Sequence, residues 1–324
     1  MGEGRAGPDA VDHVRDAGWG VPRRDTLVVI QARTGSTRLP GKVLKEVAGR
    51  PMLRFQIERL RSLSSPIVVA TSTLAQDDAI VELAVDAGVG VVRGSPEDVL
   101  DRFVTALDEF QPEVVVRLTG DCPLSDPRIV ADAVALHSDD AVEYASNLFP
   151  RSFPKGLDVE AVSASALRAA AADAQLQDER EHVTPFVYRH PERFRMANLM
   201  SGRDLGREWW TVDRPEDLQR IREIVAELDD PIGAGWLDIL EVAGERECPS
   251  PGAVRLVAEA HSPAGESPWS RTWRAERGGV VVGRATLSVA DGVGHRTLDV
   301  PASEESQVRA ALEELLVLDL QEVR

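Results

Sequence analysis

Apolar residues along the chain fall into two alternating kinds of run. Short, continuous runs rich in β-branched residues occur at "TLVVI" (26–30), "PIVVAT" (66–71), "GVGVV" (88–92), "EVVVRLT" (113–119) and "EYASN" (143–147). Between them lie longer stretches with helical spacing: "PMLRFQIERLRSL", "DDAIVELAVDAG" and "SPEDVLDRFVTALDEF". The last carries Ser95 or Pro96 near its start and Glu97 and Asp98 in its first turn, a favourable helix N-terminus. Strands alternating with helices of ten to fifteen residues predict βαβ units and a mainly parallel sheet. Continuous rather than alternating apolar strands predict that both faces of this sheet are covered.

After Asn147 the pattern is less regular. "PKGLDVEAVS" and the strand-like "FRMANL" and "EWWTVD" flank an alanine-rich helical run and the segment "DEREHVTPFVYRHP". A helix is expected from about Pro215 to Leu228, opened by "DRPEDLQ" with proline in its first turn, and two shorter helices are expected up to Ala260. Residues 261–270, "HSPAGESPWS", read as a linker. Three strands are expected beyond it, with turns at Gly278-Gly279 and Asp291-Gly292, then a helix from about Ser303 to Leu316. The expected organisation is a tail (1–25), an α/β domain with a mainly parallel sheet (26–248), a helix and linker (249–268) and a small βββα appendage (269–324), docked or dimerised. No internal repeat is visible.

Composition narrows the partners. The 324 residues carry a formal net charge of −17, which disfavours non-specific binding to nucleic acid or to an anionic membrane surface. The sequence has no apolar run long enough to span a membrane, and "MGEGRAGPDA" lacks the apolar core of a signal peptide. Only Cys122 and Cys248 are present, which suits a reducing cytoplasm and excludes a cysteine-ligated zinc site. Of 37 basic residues only Lys42, Lys45 and Lys155 are lysine, so each is a candidate for a chemical role, Lys42 foremost.

Against that acidic average, "ARTGSTRLPGK" (32–42) leaves the first strand with Arg33, Arg38 and Lys42 and no carboxylate. It is not a Walker loop: five residues separate Gly35 from Gly41, Val43 replaces the metal-binding hydroxyl, and Pro40 removes an N–H. Its content still suits several phosphoryl groups. Gly35 and Gly41 allow close backbone approach, Ser36 and Thr37 offer hydroxyls, and three cations supply charge. A divalent metal sharing that load needs carboxylates. Asp121 follows Gly120 at the end of the "VVVRLT" strand, where its side chain would reach the cleft. Asp213 ends "WTVD" just before a helix; on its residues alone it is equally a metal ligand or an N-cap.

Six motifs, "IQARTGSTRLPGKVLKEVAGRPML", "RGSPEDVLDRF", "VVRLTGDCPLSDP", "GLDVE", "REHVTPF" and "WTVDRPEDL", together resemble the cytidylyltransferases that activate acidic sugars. This superfamily includes the CMP-KDO and acylneuraminate synthetases, and the nearest branch is that of spore-coat polysaccharide synthesis. The likeness spans about residues 26–230. It implies a Rossmann-like nucleotidyltransferase (GT-A-like) fold, magnesium, and transfer of CMP from CTP to a sugar hydroxyl with release of pyrophosphate. It implies triphosphate-binding roles for Arg33, Arg38 and Lys42, with Arg33, Lys42 and Asp121 catalytic and Asp121 and Asp213 on the metal.

The same likeness puts Ala32, Gly35, Ser36, Asp98, Arg102 and Thr119 around the nucleotide. Arg117, Lys155, Asp158, Glu160, Arg180 and His182 are candidates for the acceptor sugar, Asp158 and Glu160 being expected on one face of one strand. CMP-KDO synthetases carry Gln at the place of Thr119 and a neutral amide at that of Arg117, whereas the spore-coat branch shows the same Arg-x-Thr. Cys122 reads as a packing residue. A cytoplasmic homodimer acting on a nucleotide and a small sugar acid is the expectation. A sugar-1-phosphate or glycosyl acceptor on the same fold is one alternative, and a non-catalytic docking subunit is another.

Overall fold

The computed structural model describes residues 25–138, 142–202, 205–206, 208–243, 254–261, 269–277, 280–290 and 293–299. The expected tail and C-terminal helix lie outside the described residues, apart from Asp25. The first apolar run forms β1 (Thr26–Gln31), a central strand. The small hairpin of β2 (Glu46–Val47) and β3 (Arg50–Pro51) follows, outside the main sheet. In the main sheet β1 pairs in parallel with β4 (Ile67–Ser72) on one side and β6 (Val114–Thr119) on the other. Beyond β4 lies β5 (Gly90–Gly94), also parallel. Next to β6 come β8 (Glu160–Ser163), antiparallel, then β7 (Tyr144–Ser146) and β9 (Met196–Met200). Six of these seven strands run the same way, β8 being the exception.

Alternate residues of β1 feed two cores. Val28 and Ile30 pack on one face of the sheet, and Leu27 and Val29 on the other. The first face is covered by α1 (Met52–Arg59), α2 (Asp78–Asp86) and α4 (Pro127–Ser138). The second is covered by α3 (Val99–Phe110) and α5 (Ala164–Asp173). Two short helices, α6 (Gln177–His182) and α7 (Pro185–Arg189), follow α5. The amphipathic α8 (Pro215–Ala226) returns to the first face through Leu218, Ile221, Ile224 and Val225. The start of α3 is later than expected: Asp98, three residues beyond Ser95, is its cap rather than part of its first turn, accepting from the Asp101 amide at 2.9 Å, and Ser95 Oγ holds the approach to it.

Two expectations are corrected. "EWWTVD" forms no ladder strand: it makes one bridge, Trp209 to Lys155, and is stitched to loops by Trp210 N donating to Lys155 O (2.7 Å) and Val212 N to Asp121 O (2.8 Å). It crosses above the carboxyl ends of the strands, where no ladder partner runs alongside. The passage is tight: Gly156 has φ +112°, and a Cβ there would lie 2.6 Å from the Trp210 carbonyl carbon, so only glycine fits.

The second correction concerns the helices expected up to Ala260. Only α9 (Trp236–Val242) is helical among the described residues there, and Val254–His261 is a strand, β10, antiparallel to β9. An otherwise open edge of β9 recruits this segment despite its helix-favouring alanines and glutamate. The sheet continues through β11 (Trp269–Arg277), β12 (Val280–Ala290) and β13 (Val293–Asp299) as an antiparallel meander, making eleven strands among the described residues. Trp269 and Ser270 therefore open a strand, and 262–268 lie outside the described residues. Among the described residues, no helix is long and apolar enough to cross a membrane.

Arg59 joins α1 to the segment after α8. Its buried guanidinium donates to Ser125 O (3.3 Å) and Ala234 O (2.8 Å), and also to Pro231 O. Replacing it by methionine strips several buried carbonyls of their donor, each worth about 1–3 kcal/mol. Arg59→Met is expected to lose about 2–4 kcal/mol in urea unfolding with an unchanged m-value.

Candidate active site

The strand order β5-β4-β1-β6 reverses direction of growth between β1 and β6, and ligands in open α/β sheets bind outside the strand ends at such a point. A cleft of about 460 Å³ opens there. The loop after β1 forms one wall, through Ala32, Arg33, Gly35, Ser36, Thr37, Arg38 and Lys42. The end of β6 forms its floor, with Arg117, Thr119, Gly120, Asp121 and Cys122. Arg102, Lys155, Asp158, Glu181, His182, Thr211 and Asp213 complete it, while Lys45 is not among its lining residues.

Lys42 stands at the centre. Gly41, at φ +66°, turns the loop into a 3₁₀ turn over Lys42–Leu44, and this turn aims Lys42 inward. Its ammonium donates to Asp121 Oδ2 (2.8 Å), Asp213 Oδ1 (2.9 Å) and Val212 O (2.8 Å). Burial by itself would lower the Lys42 pKa, but the two carboxylates outweigh it and raise the pKa above its ordinary value. Burial pushes the Asp121 pKa up, and the facing Lys42 charge more than offsets that, leaving it below the usual carboxylate range. Arg38 holds the other oxygen of Asp213 at 2.9 Å.

Asp213 is thus no N-cap. Asp217 caps α8 instead, accepting from the Asp213 and Arg214 amides at 2.9 and 2.8 Å, and leaves the Asp213 carboxylate free for the cleft. A neighbouring cavity of about 440 Å³, walled by Trp209, Arg214 and Arg220, shares Arg38 and Asp213 with the cleft.

Asp121 and Asp213 arrive from separate segments and converge on one point that the Lys42 ammonium occupies. A cation standing between two carboxylates is itself the test of fit. Two hard oxygen donors suit magnesium, which keeps waters and takes phosphate oxygens as its other ligands. Among the described residues no group of three or more His, Cys, Asp or Glu could hold a metal by protein ligands alone.

Three candidates lie elsewhere. Asp98, beyond capping α3, accepts from Arg180 Nε (2.8 Å) and Nη2 (2.6 Å); this pair pins α6 to α3 and neither side chain lines the cleft. Glu160 is buried at the start of β8, where it accepts from Tyr144 Oη (2.8 Å), Thr184 Oγ1 and Arg117. Asp158 precedes β8 and pairs with Arg151 beside the cleft, so the expected shared strand face does not exist. Glu160 acts through Arg117, whose Nε also donates to Gln31 Oε1 at 3.0 Å. Arg102 is buried, its Nε lacks a hydrogen-bond partner, and burial lowers its pKa, with Arg33 nearby adding to the effect.

Glu181 lies within the "REHVTPF" motif without being a candidate itself. Glu181 faces Arg33 at 3.4 Å, although its neighbours Arg180 and His182 were the candidates; in a helix, adjacent side chains diverge by about 100°. After His182 the backbone makes a γ-turn at Val183 (φ 75°, ψ −53°), with Thr184 N donating to His182 O at 2.9 Å. This strained turn brings the Thr184 hydroxyl to Glu160. Cys122 is buried beside Asp121, and burial pushes its thiol pKa well up, consistent with packing.

The sequence profile of the family described as cytidylyltransferase matches residues 27–230. The chain belongs to the cytidylyltransferase family. The spore coat polysaccharide biosynthesis protein SpsF of Bacillus subtilis is 34% identical over 209 residues, covering 62% of this chain and 86% of its own length. A 3-deoxy-manno-octulosonate cytidylyltransferase of Escherichia coli is 36% identical over 117 residues, 35% of this chain and 46% of its own. A solved cytidylyltransferase from Leptospira borgpetersenii superposes with a TM-score of 0.65 at 33% identity, covering 67% of this chain and 93% of that one. The fold of this cytidylyltransferase is therefore the Rossmann-like one that the resemblance implies, built on the mainly parallel sheet that the strand pattern predicts.

Asp77 anchors the loop from forty residues away. Its Oδ1 accepts from Thr34 N (2.8 Å) and Thr34 Oγ1 (2.6 Å), and its Oδ2 accepts from Ser72. Burial raises the Asp77 pKa, but these donors outweigh it and hold the carboxyl below its ordinary value. A depressed folded pKa contributes stability above the ordinary carboxylate range, lost as the pH falls through the folded value. Asp77→Ala is expected to cost about 1–3 kcal/mol and to speed hydrogen exchange at the Thr34 amide, with the difference from the unaltered protein shrinking at acid pH.

Proposed function

We propose that this protein transfers CMP from CTP to a hydroxyl of an acidic sugar, releasing pyrophosphate. The observation that carries the reading is the convergence of Lys42, Asp121 and Asp213 at the strand ends, beside a loop bearing Arg33 and Arg38. SpsF, named for polysaccharide biosynthesis, and the octulosonate cytidylyltransferase, named for an acidic sugar, support the acceptor class.

In this reading the acceptor oxygen attacks the α-phosphorus in line, the bond from that phosphorus to the β-phosphate oxygen breaks, and the hydroxyl proton passes to water. Arg33, Arg38 and Lys42 neutralise charge growing on the departing pyrophosphate. Asp121 and Asp213 hold magnesium, which supplies Lewis-acid polarisation of the α-phosphoryl group when bound. Ala32, Gly35, Ser36, Arg102 and Thr119 shape the nucleotide side of the cleft. Arg117, Lys155, Asp158 and His182 face the acceptor, with Glu160 positioning Arg117. Asp98 and Arg180 act only by pinning α6 and α3 behind these groups.

Pyrophosphate release with magnesium, across CTP, UTP, ATP and dTTP and a panel of ulosonic and nonulosonic acids, tests the reading. Turnover is expected with CTP and at least one acid. Asp121→Asn is expected to lower kcat roughly 10³-fold, the worth of several kcal/mol of transition-state stabilisation. Turnover only with sugar 1-phosphates would move the acceptor class, and failure to bind any nucleotide would overturn the enzyme reading.

A further inference from the structure

Each of the three loop cations is already paired with a carboxylate of the same cleft. Arg33 meets Glu181 at 3.4 Å, Arg38 meets Asp213 Oδ2 at 2.9 Å, and Lys42 bridges Asp121 and Asp213. With Val212 O as third acceptor, all three protons of the Lys42 ammonium are committed. The Lys42 side chain is 11% exposed, against 56% for Arg38 and 49% for Arg33, so only Lys42 is shielded from water.

This arrangement and a metal-bound one exclude each other. A magnesium ion held by both aspartates would need oxygens at about 2.1 Å, and it would compete for the Asp121 and Asp213 carboxylates that hold Nζ at 2.8 and 2.9 Å. A metal arriving alone must displace Lys42 and leave a largely buried ammonium without a counter-charge, which is costly. A triphosphate arriving alone draws Lys42 away and strands the Asp121 carboxylate. Arriving together, they leave no charge unpaired: the cations pass to the phosphates and the carboxylates to the metal.

Resting on the metal and triphosphate roles proposed above, we propose that Lys42 is an internal counter-ion that makes nucleotide and metal binding mutually dependent. Each ligand binds poorly alone, and each tightens the other by the same factor, as linkage requires. Lys42 thereby keeps the two aspartates from capturing free divalent cations. Arg38 contributes in the same sense and more weakly, being exposed and bonded to one oxygen only.

Binding of Mn²⁺, followed by electron paramagnetic resonance, and of α,β-methylene-CTP, followed by calorimetry with and without Mn²⁺, tests this without turnover. Lys42→Met is expected to bind Mn²⁺ alone more tightly than the unaltered protein, roughly 5- to 150-fold. The factor by which Mn²⁺ tightens the analogue should shrink correspondingly. Arg38→Gln, at an exposed position where folding is not at stake, should shift Mn²⁺ affinity in the same direction by less. Equal Mn²⁺ affinities in all three proteins would overturn the exchange. Mn²⁺ binding to Lys42→Met that survives an added Asp121→Asn would instead overturn the metal reading on which it rests.

Discussion

The ammonium of Lys42 among Asp121, Val212 O and Asp213 ties together segments that share no secondary-structure element. The loop after β1, the end of β6 and the crossing segment 208–213 all meet at that one charge. Their approach is set by covalent and steric limits around it: the positive φ of Gly41 on one side and the close pass at Gly156 on the other. Two carboxylates so near each other would repel without a cation between them, so the geometry of the cleft and its charge balance are one constraint.

The acidic composition makes this constraint sharper. A chain of net charge −17 places the loop cations Arg33, Arg38 and Lys42 within reach of its own carboxylates, and they pair there. Each cation of the loop is therefore matched by a carboxylate, while Arg102, Arg117 and Lys155 leave the lining as a whole with more cations than anions. In the function proposed above, a polyphosphate would bind by replacing these specific partners. The half-buried Arg117 adds to this: it is held by Glu160 and Gln31, so its remaining donor capacity has a defined direction.

Much of this was legible in the sequence because it is local. A strand such as "TLVVI", followed by a loop dense in Gly, Pro and cations, announces both its element and its chemistry within a dozen residues. Asp121 is legible for the same reason, as the first side chain past a strand end. What escaped reading depends on partners distant in sequence or on helical phase. Asp98 and Arg180 look like cleft residues until they find each other across eighty-two positions. Glu181 differs from its neighbours only by its angle around α6, and Asp77 becomes part of the loop only through Thr34. The crossing segment 208–213 has strand-like residues but no adjacent strand, and Val254–His261 has helix-like residues but an open sheet edge beside it. In both, the surroundings outweigh the intrinsic preference.

Trp209 sits on the outer side of this arrangement, 41% exposed, with the Lys155 ammonium 3.9 Å from its ring centre. Lys155 lines the cleft, whereas the indole belongs to the neighbouring cavity. A charge drawn from the ring toward an anionic acceptor would change the polarity at the indole without any movement of the indole itself. In the function proposed above, the tryptophan is thus a natural optical probe of the acceptor side, placed to report on the charge at Lys155.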